Sequence, residues 1–185
     1  MARAMNAAGR CVVRVAAALA LGALLAAGGS VSASAGPVDE ARLYLHGSAT
    51  TQANLPRAFQ LFSGAAKAGD PLAAYYLGLM YQNGMAVARD ARAAAHWMQF
   101  AAGRDMPAAM LVLAKLYLSG DGVPHDEQAA RRWIEKAADL EYPEAVMAMA
   151  IGLRDGSMGF ERNEALSEAH MKVADHALQQ RAAGR

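Results

Sequence analysis

The sequence has 185 residues, with 18 basic and 17 acidic side chains and a formal net charge of +1. This balance argues against a nucleic-acid partner, because the phosphate backbone attracts clustered positive charge, and the one adjacent basic pair is Arg131-Arg132. A single cysteine, Cys11, excludes a disulfide bond within the chain.

Residues 1–35 have the features of a secretory signal peptide. Three arginines and no acidic residue occur there, a short apolar run covers residues 15–27, and residues 33–35 read Ala-Ser-Ala. Small residues in an A-x-A pattern mark a cleavage site, and the apolar run is shorter than the roughly 20 residues of a transmembrane helix. We therefore expect cleavage after Ala35, a periplasmic or secreted protein, and contact with a membrane only during export. An uncleaved membrane anchor is the alternative.

The chain after residue 70 repeats with a period of 36. Four residue types recur at this spacing: proline (Pro71, Pro107, Pro143), alanine (Ala73, Ala109, Ala145), glycine (Gly84, Gly120, Gly156) and tryptophan (Trp97, Trp133). The spacing predicts that the repeats align with one another without an insertion or a deletion. A period in the 30s is typical of stacked helical hairpins. Each hairpin buries its apolar face against its neighbours, so the stack presents a long surface to a partner.

Each unit is predicted to contain two helices joined by a short loop. In the unit that begins at Pro107, the first helix should run from that proline to about Ser119, because proline is tolerated in the first helical turn. Gly120 accepts the positive φ angle at which helices commonly end. Asp126 is then placed to cap the second helix by accepting backbone N–H bonds.

The predicted fold is all-α, a right-handed α/α solenoid of about four hairpins. Its units are about 37–70, 71–106, 107–142 and 143–178. The outer two units keep the pattern less well, as expected for terminal repeats with one face in solvent. Trp97 and Trp133 are expected to be buried between successive hairpins. Residues 179–185 are predicted to form a tail that frays.

The terminal units differ from the central ones at their key positions. Asn54 takes the capping position in the first unit. The last unit lacks the aspartate cap, so Asn163 is expected to cap its second helix instead. The 36-residue spacing places Ala169 where the other units have tryptophan, and places His170 at the packing position of Ile134.

The string GDGVPHDEQAARRWIEKAA, residues 120–138, resembles the Sel-1-like repeat, a relative of the tetratricopeptide repeat. The family pattern has A, LG, LY, G-x-GV, D, A, W and AA at these spacings. The unit 71–106 matches it with Ala86 for the glycine before valine, and the unit 107–142 matches with Ala114 for the glycine after leucine. The resemblance covers nearly all of the chain after the predicted signal peptide. It implies an adaptor or scaffold for protein complexes, a role that family members often have in secreted or periplasmic form in bacteria.

The sequence predicts no catalytic residue, no metal site and no cofactor. The histidines do not have metal-ligand spacing, and no HExxH motif or cysteine pair occurs; they are His46, His96, His125, His170 and His176. No serine lies in a G-x-S-x-G context. Asp121 and Asp126 flank a loop, and the repeat explains them as a turn residue and a cap.

A partner-binding groove is predicted on the first helix of each unit. Consecutive first helices line the inner curve of such solenoids, so the residues one face away from the packed stripe of Leu77 and Tyr81 should line a groove. These residues are Leu43, Tyr76, Leu79, Asn83, Val112, Lys115, Ser119, Ala148, Ile151 and Asp155. Three of the four residues in the row Leu43, Leu79, Lys115 and Ile151 are apolar, which suits an amphipathic helix or an extended peptide. Alternatively, the units curve so tightly that this row is internal packing.

The predicted function is therefore non-enzymatic: an exported repeat protein that binds another protein or a peptide in this groove, as an adaptor or scaffold. Two alternatives stay open. One is a secreted hydrolase or ligand-binding enzyme that acts on a cell-wall component. The other is a stabilising subunit of an envelope complex with no separate ligand.

Overall fold

The computed structural model describes residues 36–50 and 52–184, so the signal peptide predicted for residues 1–35 lies outside the described residues. In this described part all regular structure is helical, in eight helices: α1 (Pro37–His46), α2 (Leu55–Lys67), α3 (Pro71–Asn83), α4 (Ala91–Ala102), α5 (Pro107–Ser119), α6 (Glu127–Asp139), α7 (Pro143–Asp155) and α8 (Glu164–Ala183). Each helix packs mainly on the helices before and after it in the chain. The all-α solenoid of four hairpins is thereby confirmed.

The first helices of the last three hairpins begin at proline and end at glycine. Their C-cap glycines all have left-handed φ angles: 66° at Gly84, 69° at Gly120 and 65° at Gly156. The N–H of Gly120 donates to the carbonyl of Leu116 and closes the last turn of α5. The bounds predicted for α5 from proline tolerance and glycine conformation are therefore confirmed.

Side-chain caps begin the second helix of every hairpin. In each case the cap oxygen accepts a bond from the backbone N–H three residues later, at 3.0 Å for Asn54, 2.9 Å for Asp90, 2.8 Å for Asp126 and 3.0 Å for Asn163. Such a bond satisfies a donor that has no partner within the helix. The two predicted asparagine caps are therefore confirmed.

An apolar core runs along the stack between the helices. The largest fully buried side chains are Phe62, Leu77, Met80, Met98, Met110, Leu113, Leu116 and Ile134. Buried alanines lie between them, and small residues let the helices approach closely. A Cβ atom at Gly78 of α3 would lie 2.9 Å from Cε of Met98 in α4. The same Cβ atom would lie 3.3 Å from the carbonyl oxygen of Ala94, so a larger residue at Gly78 would require Met98 to move and α4 to shift slightly.

Trp97 and Trp133 are half-buried, so the prediction that they would be buried is wrong in degree. Both rings pack against the core from its surface. The Trp97 ring meets Phe100 edge-on, with 5.8 Å between the ring centroids, and Nζ of Lys136 lies 5.7 Å from the centroid of the Trp133 ring. Each indole therefore covers core on one side and keeps the other side accessible to solvent.

The last hairpin has one more residue between its helices than the hairpin before it. In α5–α6 the C-cap and N-cap are Gly120 and Asp126, whereas in α7–α8 they are Gly156 and Asn163. Residues of α8 therefore correspond to residues of α6 that lie 37 positions earlier. The prediction that the 36-residue register needs no gap is wrong in α8.

Burial along α8 agrees with the 37-residue correspondence. Ala174 is fully buried like its counterpart Ala137, whereas Val173, the counterpart under the 36-residue spacing, is 58% exposed. Ser167 replaces Ala130 and is 4% exposed, and its Oγ donates to the carbonyl of Ala150 at 2.7 Å. The one-residue shift therefore keeps the buried face of α8 against α7.

The shift also corrects two assignments in the last unit. His170, not Ala169, takes the position of Trp133, and both side chains are half-buried. Met171, not His170, takes the packing position of Ile134. The extra loop residue is the physical reason, since it displaces every later position by one.

The segment predicted to be a fraying tail is helical as far as Ala183. Nη1 of Arg181 donates to Oε1 of Glu144 at 2.9 Å and ties the end of α8 to the first turn of α7. The second helix of the last hairpin is thus 20 residues long, and it extends into the region that was assigned to the tail.

Candidate partner-binding groove

None of the ten residues predicted to line the groove is fully buried. All lie on the first helices of the hairpins or on their last turns. Five are exposed (Leu43, Asn83, Lys115, Ser119, Asp155) and five are half-buried (Tyr76, Leu79, Val112, Ala148, Ile151). The surface predicted from the repeat pattern is thus accessible in part.

The half-buried residues contribute to packing as well as to the surface. The Tyr76 ring stacks on the ring of the buried Phe62, with 4.9 Å between centroids and 19° between planes. Leu79 and Val112 pack against the main core. These side chains are therefore held in place by the preceding helices and present only one side to a ligand.

Three of the four residues in the predicted row share one register. In each first helix the N–H of the C-cap glycine donates to the carbonyl of the residue four positions earlier. Leu79, Lys115 and Ile151 each directly precede that acceptor residue. In α1 the carbonyl of Leu43 itself accepts that bond, from Gly47 at 2.7 Å. Leu43 therefore lies one position out of register, although it is 44% exposed.

Lys115 is the charged member of the row. In the part of the chain that the structure describes, its ammonium group has no ion-pair partner. Asp155, in contrast, is paired: Nε of Arg154 lies 2.8 Å from its Oδ1. The hydrogen bond from Arg154 lowers the pKa of the Asp155 carboxyl below its ordinary value. Lys115 is thus the exposed charge of this face that is free to meet a ligand.

The uncharged polar residues of this face bond to their own helices. Nδ2 of Asn83 donates to the carbonyl of Leu79 at 3.0 Å, and Oγ of Ser119 donates to the carbonyl of Leu116 at 3.2 Å. Both side chains therefore bond back to the last turns of their own helices. These two residues help to end their helices and border the row.

Residues 36–50 and 52–184 offer few groups for metal binding or catalysis. No group of three His, Cys, Asp or Glu side chains there could hold a metal ion. Nδ1 of His125 bonds to the carbonyl of Leu118 at 2.8 Å, and Nε2 of His176 lies 2.9 Å from Nε2 of Gln180. None of the helices in this range is long and apolar enough to cross a bilayer.

A cleft that the sequence analysis missed lies on the last two hairpins. It has a volume of about 750 Å³ and is lined by the end of α6, the first half of α7 and one face of α8. The 36-residue spacing concealed it, because that spacing placed the wrong α8 residues opposite α6. The cap at Asn163, one residue later than the repeat requires, was the signal that could have revealed the shift.

The fold and this surface define a helical-repeat protein that presents a partly apolar face. The family model described as Sel1 repeat matches residues 41–70, 71–105 and 107–142. The chain therefore belongs to the Sel1-repeat family. Proteins of this family are generally scaffolds for protein–protein interaction and are typically not enzymes. The matched residues stop before the hairpin that contains the extra loop residue.

Two of the solved structures that are similar to this chain are bacterial repeat proteins. A Sel1 repeat protein from Oxalobacter formigenes has a TM-score of 0.68 and 28% sequence identity, over 76% of this chain and 40% of that chain. The c5321 protein, a protective antigen present in uropathogenic Escherichia coli strains that displays an SLR fold, has a TM-score of 0.71 and 27% identity, over 76% of this chain and 30% of that chain. The chain thus spans less than half the length of either protein. A search of the curated proteins found no match.

Proposed function

We propose that this protein is an exported, non-enzymatic adaptor or scaffold that binds a protein or peptide along the first helices of its hairpins. The observation that carries the proposal is the row of Leu79, Lys115 and Ile151. These residues share one register on three successive hairpins, none is fully buried, and the lysine has no ion-pair partner in the described chain.

The chemistry of the row suits an amphipathic ligand. Leu79 and Ile151 offer apolar contact, and Lys115 between them offers an ammonium group. An amphipathic helix or an extended peptide with apolar residues and a central acid would match this order. Charge complementarity of this kind contributes more to specificity and association rate than to affinity.

The binding test uses Lys115, because the side chain is exposed and its change should not disturb the core. A partner is first identified by pull-down from the envelope fraction and mass spectrometry, and its dissociation constant is then measured by calorimetry. Lys115→Glu should weaken binding by about tenfold, equivalent to about 1.4 kcal/mol. The matched control is Lys67→Glu, an exposed lysine at the end of α2, which should bind as wild type does.

A second pair of variants tests the apolar part of the row. Leu79→Asp places a charge on a half-buried position and should weaken binding strongly, because desolvating an unpaired charge is costly. Leu77→Asp, on the buried stripe two residues earlier, should unfold the protein. Wild-type affinity in both Leu79→Asp and Lys115→Glu would refute the groove. Equal loss of folding in Leu79→Asp and Leu77→Asp would show that Leu79 is core.

The export part of the proposal rests on the signal-peptide features of residues 1–35. N-terminal sequencing of the protein from an envelope fraction should read from Gly36. An intact Met1 on a species that resists extraction from membranes would overturn cleavage and make the solenoid a membrane-anchored domain.

A further inference from the structure

The cleft on the last two hairpins has a mostly apolar floor and a charged rim. Val146 and Met149 of α7 and Ala174 of α8 line its apolar part. Asp139 and Glu141, at the end of α6 and in the following loop, lie at its edge. A volume of about 750 Å³ is within the range of small-ligand pockets, about 300–1,000 Å³.

The corresponding place one hairpin earlier is filled by the chain itself. Met110 and Leu113, the α5 counterparts of Val146 and Met149, are fully buried. The Trp133 ring packs against the core cluster that contains both of them. An ion pair closes the same place, since Nζ of Lys136 lies 2.8 Å from Oδ1 of Asp105. In this hairpin Trp133 therefore supplies an indole, and Lys136 supplies a cation that pairs with the carboxylate of Asp105.

The last hairpin lacks both of these groups. His170 stands in place of Trp133, and Val173 stands in place of Lys136. The carboxylate is kept, because Glu141 corresponds to Asp105 and both residues have a φ angle of 56°. Met149 is half-buried and Val146 is 7% exposed, whereas their counterparts Leu113 and Met110 are fully buried, and Met149 and Val146 both line the cleft.

The carboxylates at the rim are not paired with a cation. Within the described residues neither Asp139 nor Glu141 has an ion-pair partner. Lys172 is the one lysine of the lining, so with neutral histidines the two carboxylates outweigh a single ammonium group. The cleft therefore combines an apolar floor with an excess of negative charge.

We propose that this cleft binds an aromatic side chain and an adjacent cation of a partner protein. The ring takes the place that Trp133 takes one hairpin earlier, and the lysine or arginine beside it faces Glu141 and Asp139. The partner thus supplies in trans the pair of groups that Trp133 and Lys136 supply in cis. This site is separate from the row on the first helices and does not depend on it.

Tryptamine, which joins an indole to an ammonium group, is the minimal probe for the cleft. Methyl NMR of the full chain should show saturable shifts at Met149 and Val146. Indole-3-acetate, with the same ring and a carboxylate, should bind about tenfold more weakly, because one ligand is attracted to the rim and the other repelled. No shift at these methyls, or equal affinity for the two probes, would overturn the proposal.

Variants that restore the internal pattern provide the second test. His170→Trp should fill the cleft and lower tryptamine affinity by about tenfold or more. His96→Trp, on an exposed position of α4, is the matched control and should bind as wild type does. Because Glu141 is exposed, Glu141→Gln should fold normally and reduce the preference for tryptamine over indole-3-acetate. Unchanged binding in both His170→Trp and Glu141→Gln would refute the site, and Leu79→Asp should leave tryptamine binding unaffected.

Discussion

The loop between α5 and α6 touches the preceding hairpin at Gly122. This glycine has a φ angle of 78°, and a Cβ atom on it would lie 2.0 Å from the carbonyl oxygen of Ala91, in the first turn of α4. The atoms that this Cβ would meet all belong to the backbone of α4, so no flexible side chain can move to relieve the clash. Gly122→Ala must therefore push the loop away from α4.

The expected loss has two parts. A left-handed conformation costs a residue other than glycine about 1–2 kcal/mol, and overpacking costs about 1–3 kcal/mol. Together they predict a loss of about 2–5 kcal/mol in the free energy of unfolding. In a domain of this size, each kcal/mol of lost stability lowers the melting temperature by about 2–4 °C, so the midpoint should fall by about 4–20 °C.

Ala86 provides the reverse experiment in the same protein. It is the counterpart of Gly122 one hairpin earlier, and its φ angle of 64° strains an alanine. Ala86→Gly relieves about 1–2 kcal/mol of strain and costs about 0.5–1 kcal/mol of chain entropy. The net gain is about 0–1.5 kcal/mol, so the melting temperature should rise by up to about 6 °C.

Circular dichroism at increasing temperature measures both variants. Gly64→Ala is the control, since Gly64 lies within α2 with open space around it and alanine favours a helix. Its melting temperature should not fall. A Gly122→Ala protein that melts with the wild type would show that the α5–α6 loop does not rest on α4, and the packing between these hairpins would have to be revised.

Two further substitutions test the cap and the tryptophan. Asn163→Ala should lower the free energy of unfolding in urea by about 1 kcal/mol, because the helix cap is lost. Arg162→Ala, one residue earlier, should lower it little. The opposite order of the two losses would show that α8 is capped by residue 162 and not by Asn163. Trp133→Ala should cost about 2–3 kcal/mol in the same assay, less than the about 3–5 kcal/mol of a fully buried tryptophan, because its ring is half-buried. A loss below about 1 kcal/mol would show that the indole does not cover the core.

The hairpin architecture was predictable because its signals are local. Prolines, C-cap glycines and side-chain caps act within one or two turns, and they placed α5 correctly from Pro107 to Ser119. The shift in α8 was missed because it arises from one residue in an irregular loop. The cap at Asn163 is the one sign of the shift in the sequence, and within a strict 36-residue period it is equally consistent with a substitution at the neighbouring position.

The shared register of three residues in the candidate groove was predictable from the sequence, but the exposure of each residue was not. Periodicity identified Leu79, Lys115 and Ile151 at one register. The stacking of Tyr76 on Phe62 depends on how one hairpin is placed on another, and no spacing within a single helix encodes that placement. The degree of burial of the tryptophans depends on the same tertiary geometry.

The packing of each helix on its neighbours in sequence has a consequence for how the chain folds. Because native contacts join segments close in the chain, few long loops must close before stabilising contacts form. A stack of this kind behaves as a nearly one-dimensional array, in which order can begin in any hairpin and spread to the next. The central hairpins have neighbours on both sides and should hold their structure longest, and unfolding should begin at the ends of the array.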